Sequence, residues 1–424
     1  MTTKKTVFKA IVALVVAGLF ACGPKPPPKT GPGGGTGDNT GLPPPVKPKR
    51  VVSKEAKGDF RDAVKAYKSA GRINKANCAS LAAKFAEVFQ DHPKLAEAKF
   101  NEGVVWEECG DIGKAERAYQ ELVRRHPNHG AALNNLGQIF FARGNHGQAM
   151  DYFRRAAALK NSEAYANLAL IQRNQALSGG QVHLIKESVN NIHRALAVDS
   201  FNIEAYATLA LVLYDHAKSK SQLEMARLIC VQATKVDDKY APVYNILGLI
   251  LLKQEKVTPA LREFRKAVAI DNNFLEAHMN IGAITLSFRD YKSAEESFRR
   301  VLTLNPSKQV KKEAHVGLGV ALRGQRKYRE AMAEYKRALA LDPTDVGIAY
   351  NQGILIQDYM FDASNPARAI QDLQTASNFL QRYINQGRSS AKKQDAQRRV
   401  KNINELIPML REQQKMMKSM GGKT

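Results

Sequence analysis

Aromatic residues are scarce in this chain: Phe, Trp and Tyr make up 7% of it, with a single Trp. An aromatic-filled β-sandwich is poorly served by such a composition. Long hydrophobic runs are also missing where a membrane span would need one. Ala10–Phe20 is apolar over eleven residues, too short to cross a bilayer as a helix. Signatures of chemistry are lacking as well. There is no G-x-x-x-x-G-K-[ST] loop, no C-x-x-C pair and no H-E-x-x-H helix. The nine His are scattered without metal-ligand spacing, and His129, His146 and His315 read as exposed helix or turn residues. No catalytic residue, metal or cofactor is implied, and the chain reads as a non-enzyme. Acidic residues are outnumbered, 40 against 64 Lys and Arg, which leaves a net charge of +24.

What is present is length, alanine and repetition. At 424 residues the chain exceeds what one compact core usually holds. Its 44% apolar content, poor in aromatics, suits helical hairpins packed through small residues. The basic charge attracts anionic partners in a salt-dependent way.

The N-terminus supplies an address. Lys4, Lys5 and Lys9 precede the Ala10–Phe20 run, as in a signal peptide spanning residues 1–21. Those three lysines come with no acid, so a chain cut before Cys22 carries +21. Leu19-Phe20-Ala21-Cys22-Gly23 resembles a bacterial lipobox, which implies lipidation of Cys22. Gly23, not being Asp, implies sorting to the outer membrane of a Gram-negative bacterium, on its periplasmic face. That location argues against nucleic acid as the anionic partner. The alternative is an ordinary secretory signal with a chance Cys. Residues 22–57 then read as a disordered Pro/Gly-rich tether, because its Pro runs favour extended chain and GPGGG is flexible.

From about residue 58 to 384 the chain repeats itself. Gly103, Ala115, Tyr119 and Pro127 recur as Gly137, Ala149, Phe153 and Ala156, then as Gly248, Ala260, Phe264 and Ala267. Two further units carry Gly282, Ala294, Phe298 and Pro306, and Gly319, Ala331, Tyr335, Ala338 and Pro343. The Gly-to-Ala spacing is twelve in all five. The small Gly and Ala allow two helices to approach, and the aromatic four residues later fills the same face. Pro or Asp ends each second helix. This pattern resembles the 34-residue tetratricopeptide repeat (TPR). The resemblance implies an all-α superhelical solenoid of about eight or nine hairpins, in which neighbours bury each other's apolar faces. Residues 162–200 gain about seven residues near Ala176–Gly180, and the units at 203–238 and 346–376 are expected to lengthen their inter-helix turns by about four. Those turns read either as a binding rim or as unselected loop growth.

A TPR stack implies a groove lined by first helices and an outer face of second helices. Asn101, Asn135, Asn167, Asn280 and Asn351 fall at one repeat position. Such amides can grip an extended peptide through its backbone, or Asn can simply be common there. Leu170, Leu211, Leu249, Ala283, Val320 and Ile354 give the groove an apolar character or face the neighbouring repeat; a charged carboxylate clamp is absent. The implied ligand is an extended segment or an apolar helix. Glu97, Glu163, Glu204, Glu276 and Glu313 near first-helix starts read as helix-dipole partners. On second helices the pairs Arg154-Arg155, Arg265-Lys266, Arg299-Arg300 and Lys336-Arg337 share one position and form a basic ridge toward an anionic envelope polymer or acidic partner.

Residues 385–424 read as a basic helical cap or tail. Arg388–Thr424 holds ten Lys or Arg against three acids, with an apolar stripe of Ile403, Leu406, Ile407 and Leu410 interrupted by Pro408. Cys230 lies four residues after Ala226, at the core aromatic position. Cys78 and Cys109 are nearly symmetric about Pro93, where one helix turns back on another, so they face each other across an antiparallel pair. An oxidising periplasm then allows a disulfide, the alternative being two buried thiols.

The lipobox and the long array together resemble the TPR lipoproteins of myxobacterial gliding-motility machinery, and more distantly the pilotins of type IV pili. The resemblance implies a scaffold that organises a periplasmic multiprotein complex with other envelope proteins. The alternative is a cell-wall adaptor that binds peptidoglycan or its enzymes through the basic ridge.

Overall fold

The computed structural model describes residues 53–71 and 73–421. The signal segment 1–21, Cys22 and the tether up to residue 52 lie outside the described residues. Among the described residues all regular structure is helical, and it forms two compact units, 53–237 and 238–421.

The first unit holds α1 (Lys54–Ser69), α2 (Cys78–Asp91), α3 (Ala96–Glu108), α4 (Ile112–Arg125), α5 (Gly130–Ala142), α6 (His146–Ala158), α7 (Ser162–Gly179), α8 (His183–Val198), α9 (Ile203–His216) and α10 (Lys220–Val236). The second holds α11 (Ala241–Lys253), α12 (Val257–Ile270), α13 (Leu275–Ser287), α14 (Tyr291–Thr303), α15 (Lys308–Gly324), α16 (Tyr328–Leu341), α17 (Val346–Leu355), a π-helical turn (Ile356–Met360), α18 (Pro366–Gln386) and α19 (Ser390–Gly421). Consecutive helices pair as hairpins, five in the first unit and four in the second, with α19 packed on α18.

Local sequence explains where the helices start and turn. Asp111, Asn145 and Asp290 cap second helices, each accepting a hydrogen bond from the backbone N–H three residues on. Asn161 and Asn202 do the same for first helices. The inter-helix turn needs one left-handed residue. Gly110 and Gly144 supply it, both at φ +78°. Glu255, Arg289 and Arg326 hold the same turn position at φ 63°, 61° and 62°, a conformation that costs a side chain about 1 kcal/mol.

The hairpins close on the repeated Gly and aromatic. A Cβ placed on Gly137 would lie 2.6 Å from the Phe153 ring, and one on Gly248 2.5 Å from Phe264. Gly103 and Tyr119, Gly282 and Phe298, and Gly319 and Tyr335 meet in the same way. These rings and the repeated Ala are essentially fully buried. In α10 the ring position is taken by Cys230, also fully buried, whose thiol burial pushes up to about 12.

Several boundaries differ from the sequence expectation. Helix α1 starts at Lys54, ahead of residue 58, because the Ser53 hydroxyl caps it by accepting from the Ala56 N–H. The insertion at 176–180 is not a long turn. Helix α7 runs on to Gly179 before Gly180 stops it at φ +65°. The α9–α10 turn is likewise only residues 217–219, and the extra length goes into α10. Added helix satisfies its own backbone hydrogen bonds, which a longer loop does not. Of the three units expected to lengthen, only the α17–α18 hairpin opens a longer connection, residues 361–365, preceded by the π-helical turn. Helix α19 continues through Pro408. Its Ala396, Ile403 and Leu410 are buried in the core of the last hairpin, while Met416 and Met417 are exposed.

Candidate interaction surfaces

The first helices of successive repeats lie side by side, and their asparagines join them. Asn167 on α7 donates through Nδ2 to Asn134 Oδ1 on α5 at 2.9 Å, and Asn280 on α13 to Asn245 Oδ1 on α11 at 2.8 Å. Asn245 and Asn280 are 2% and 3% exposed. Asn280 is therefore a link between repeats and not a solvent-facing groove amide. Asn101, Asn135, Asn167 and Asn351 remain half-buried.

Asn135 belongs to a polar triad. The Tyr119 hydroxyl donates to Glu107 Oε2 at 2.6 Å, and Asn135 Nδ2 donates to the Tyr119 oxygen at 3.0 Å. Burial holds the Glu107 carboxyl above its usual range, against the pull of the Tyr119 hydrogen bond. Phe100 packs beside Tyr119, with ring centroids 5.6 Å apart.

A small cleft opens between α5 and α7. Gln138, Phe141, Asn167, Leu170 and Ile171 line it. Asn167 spends its amide nitrogen on Asn134 and also lines that cleft. Of the apolar groove residues, Leu170, Ala283, Val320 and Ile354 are half-buried and reachable. Leu211 and Leu249 are buried against their neighbours at 4% and 8% exposure.

The second-helix cations are largely engaged. Arg154 pairs with Asp151 at 3.3 Å, Arg299 with Glu295 at 2.8 Å, and Arg337 with Glu334. Arg155 and Lys266 lie over the rings of Tyr152 and Tyr244. Arg300 reaches the preceding inter-repeat loop, donating to Asn272 O and to Asn273 Oδ1 at 2.6 Å. Arg265 and Lys336 are exposed.

Three polar clusters, each centred on a buried basic side chain, were not legible in the sequence. Arg173 bonds Asp215 at 2.6 Å between α7 and α9. Lys99 bridges Glu102 and Glu121 at 2.8 and 2.6 Å. His315 is 8% exposed and meets Glu334 through Nδ1 at 2.6 Å, which corrects its reading as an exposed residue. His129 instead caps α5, its Nδ1 accepting from the Ala132 N–H, and burial lowers its basicity. Of the helix-start acids, Glu276 and Glu313 depart from a plain dipole role: burial raises both carboxyls, that of Glu276 up to about 7.

Cys78 and Cys109 form a disulfide, with Cα atoms 6.1 Å apart. It ties the first turn of α2 to the end of α3, where Tyr67 of α1 also donates to Glu108 at 2.6 Å.

Tetratricopeptide-repeat profiles match residues 108–164 and 285–346, and another matches 241–274. The chain thus carries tetratricopeptide repeats in both units, and its fold is an all-α, TPR-like stack of hairpins. Human protein O-mannosyl-transferase TMTC1 is 23% identical over 218 residues, 51% of this chain and 24% of that protein, so the chain spans about a quarter of that relative. The human IFIT1 dimer with PPP-AAAA is similar at a TM-score of 0.52 and 17% identity, over 83% of this chain and 88% of that one. The APC/C hetero-tetramer Cut9-Hcn1 gives 0.51 at 13% identity, over 70% and 53%. PilF of Pseudomonas aeruginosa gives 0.44 at 20% identity, over 56% and 96%. At these identities the likeness is one of fold. TPR folds generally bind proteins or peptides.

Proposed function

We propose that the chain is a non-catalytic interaction scaffold that grips extended protein segments along its first-helix faces. The observation that carries this reading is the cleft between α5 and α7, where an amide from Asn167 stands beside the apolar Leu170 and Ile171. That combination suits a peptide, whose backbone needs a polar partner and whose side chains need apolar seats. Asn101, Asn135 and Asn351 extend the same chemistry to other repeats. The Cys22 lipobox and its tether support attachment to the periplasmic face of the outer membrane. There the scaffold organises a complex of envelope proteins of the gliding-motility or pilus type. Among the described residues no helix is long and apolar enough to cross a membrane.

Two measurements test this. Radiolabelled palmitate incorporation should vanish in Cys22→Ala, and loss of outer-membrane fractionation should accompany it. Cross-linking from intact envelopes should recover motility or pilus components, and recovery should drop when Leu170→Glu fills the cleft with charge. Recovery of cell-wall hydrolases alone would favour the peptidoglycan adaptor. The basic ridge gives that alternative less support, because six of its eight cations already hold partners within the chain. Co-sedimentation with sacculi that is lost in Arg299→Glu/Arg300→Glu would restore it.

A further inference from the structure

The polar triad of the first unit has a counterpart in the second, with one member changed. Tyr335 occupies the Tyr119 position, seated against Gly319 as Tyr119 is against Gly103. Asn351 stands at the Asn135 position, two residues before the small Gly353. At the Glu107 position, four residues after the glycine, this repeat carries Arg323. The hydrogen bonds change accordingly. Tyr119 gives its proton to a carboxylate of its own hairpin. The Tyr335 hydroxyl is fully buried with no hydrogen-bond partner, and Arg323 Nη1 is buried with none either. Burial raises the Tyr335 phenol to about 12 against the pull of the Arg323 charge, so it stays a proton donor.

An unpaired buried phenol and an unpaired guanidinium nitrogen are costly, at roughly 1–3 kcal/mol for each neutral group and more for a charged one. Both are donors, and Asn351 adds a third. The first unit shows what such a set binds, since a Glu carboxylate plays the acceptor role there. Val316 and Val320, half-buried and apolar, pack against the cluster that holds Tyr335.

We infer that Arg323, Tyr335 and Asn351 form a receptor for one carboxylate from an acidic side chain of a bound peptide. The inference rests on the first-helix face being a peptide-binding surface. The ligand's carboxylate plays the acceptor role that Glu107 plays within the first unit, receiving hydrogen bonds from the Tyr335 hydroxyl and the Arg323 guanidinium. The net charge of +24 favours the same sign of partner. The apolar neighbours seat the residues flanking the acid. The receptor therefore reads one acidic side chain in an otherwise apolar segment.

The experiment uses the mature chain on an array of random decapeptides, each present in a Glu and a matched Gln version. Wild type should retain Glu peptides about tenfold better than their Gln partners, equivalent to about 1.4 kcal/mol. Arg323→Gln and Tyr335→Phe should reduce that preference to about one while leaving Gln-peptide binding unchanged. Tyr335→Phe keeps the ring against Gly319, and an unchanged far-UV melt shows that each variant folds. Peptide binding with no Glu preference in wild type, or a preference that survives both variants, overturns the receptor and leaves the groove standing. Binding of no peptide at all removes the groove and the receptor together.

Discussion

Asn280 Nδ2 donates to Asn245 Oδ1 at 2.8 Å across two neighbouring first helices, with both side chains essentially out of water. The bond is a register pin: it forms only when the α13 hairpin sits at one height on the α11 hairpin. Replacing Asn280 by Ala leaves the Asn245 carbonyl buried and unsatisfied, at a cost of about 1–3 kcal/mol. The pair Asn245→Leu/Asn280→Leu removes both polar groups and should recover part of that loss. A double-mutant cycle on urea unfolding, followed by far-UV circular dichroism, measures the coupling. Additive effects would mean that the two amides act independently.

The glycines of the first helices and those elsewhere should respond in opposite directions to the same substitution. Gly137→Ala gains about 1 kcal/mol of helix propensity but drives a methyl to 2.6 Å from the buried Phe153 ring. Overpacking of a filled core costs about 1–3 kcal/mol, so the net effect is destabilising. Gly147 lies on the exposed face of α6 with nothing within 4 Å of an added Cβ. Gly147→Ala should raise the urea midpoint, by up to about 1 kcal/mol in stability. Equal effects of the two would refute the close-approach account of the repeat.

These glycine–aromatic pairs were legible in the sequence because both members sit within one hairpin at a fixed spacing. The Cys78–Cys109 placement was legible for a similar reason, since Pro93 marks the fold of that helix pair. What was not legible depends on the register between repeats. Asn280 looks like a groove amide until Asn245, one residue earlier in the preceding repeat's frame, is placed against it. His315 looks exposed until α16 brings Glu334 to it. The insertion near residue 176 looks like a loop because Ser178-Gly179-Gly180 punctuates it, yet buried Ala176 lets α7 continue past the usual stop. The exchange of Glu107 for Arg323 was visible in the sequence. Its meaning waited on finding the Tyr335 hydroxyl buried.

The disulfide should stabilise the first unit through its denatured state. It closes a loop with a sequence separation of 31, for which chain entropy gives about 2–4 kcal/mol. Trp106, the one Trp of the chain, packs in the same core cluster as Cys109 and reports on this unit. In Cys78→Ala/Cys109→Ala, the Trp fluorescence transition should move to lower urea. Adding a reductant should shift the wild type in the same direction and leave the variant unmoved. A wild-type transition indifferent to reductant would show that the bridge does not contribute to stability.

Two carboxyls of the second unit should give its stability a maximum near pH 4.5. Burial pushes Glu276 up to about 7, helped by Asp271 and opposed by a backbone hydrogen bond. Its folded-state value is raised, so the unfolded chain releases its proton first, and stability falls as pH rises from about 4.5 through 7. Glu295 is the opposite case. Burial disfavours its charge, but hydrogen bonds from Arg299, Lys327 and Gln325 outweigh that and hold its carboxyl down at about 2. Its contribution is present above about 4.5 and is lost as pH falls toward 2. Urea midpoints from pH 2 to 8 separate the two. Glu276→Gln should flatten the limb between pH 4.5 and 7 and make the variant the more stable chain at pH 8. Glu295→Gln should reduce the acid limb, part of which Asp342 keeps because the Lys312 hydrogen bond holds its carboxyl down at about 2, and should lower stability at neutral pH, where the three donors to Glu295 lose a charged partner. If Glu276→Gln left the neutral limb unchanged, its carboxyl would be ionising freely in the folded chain, and the first turn of α13 would have to be open to water.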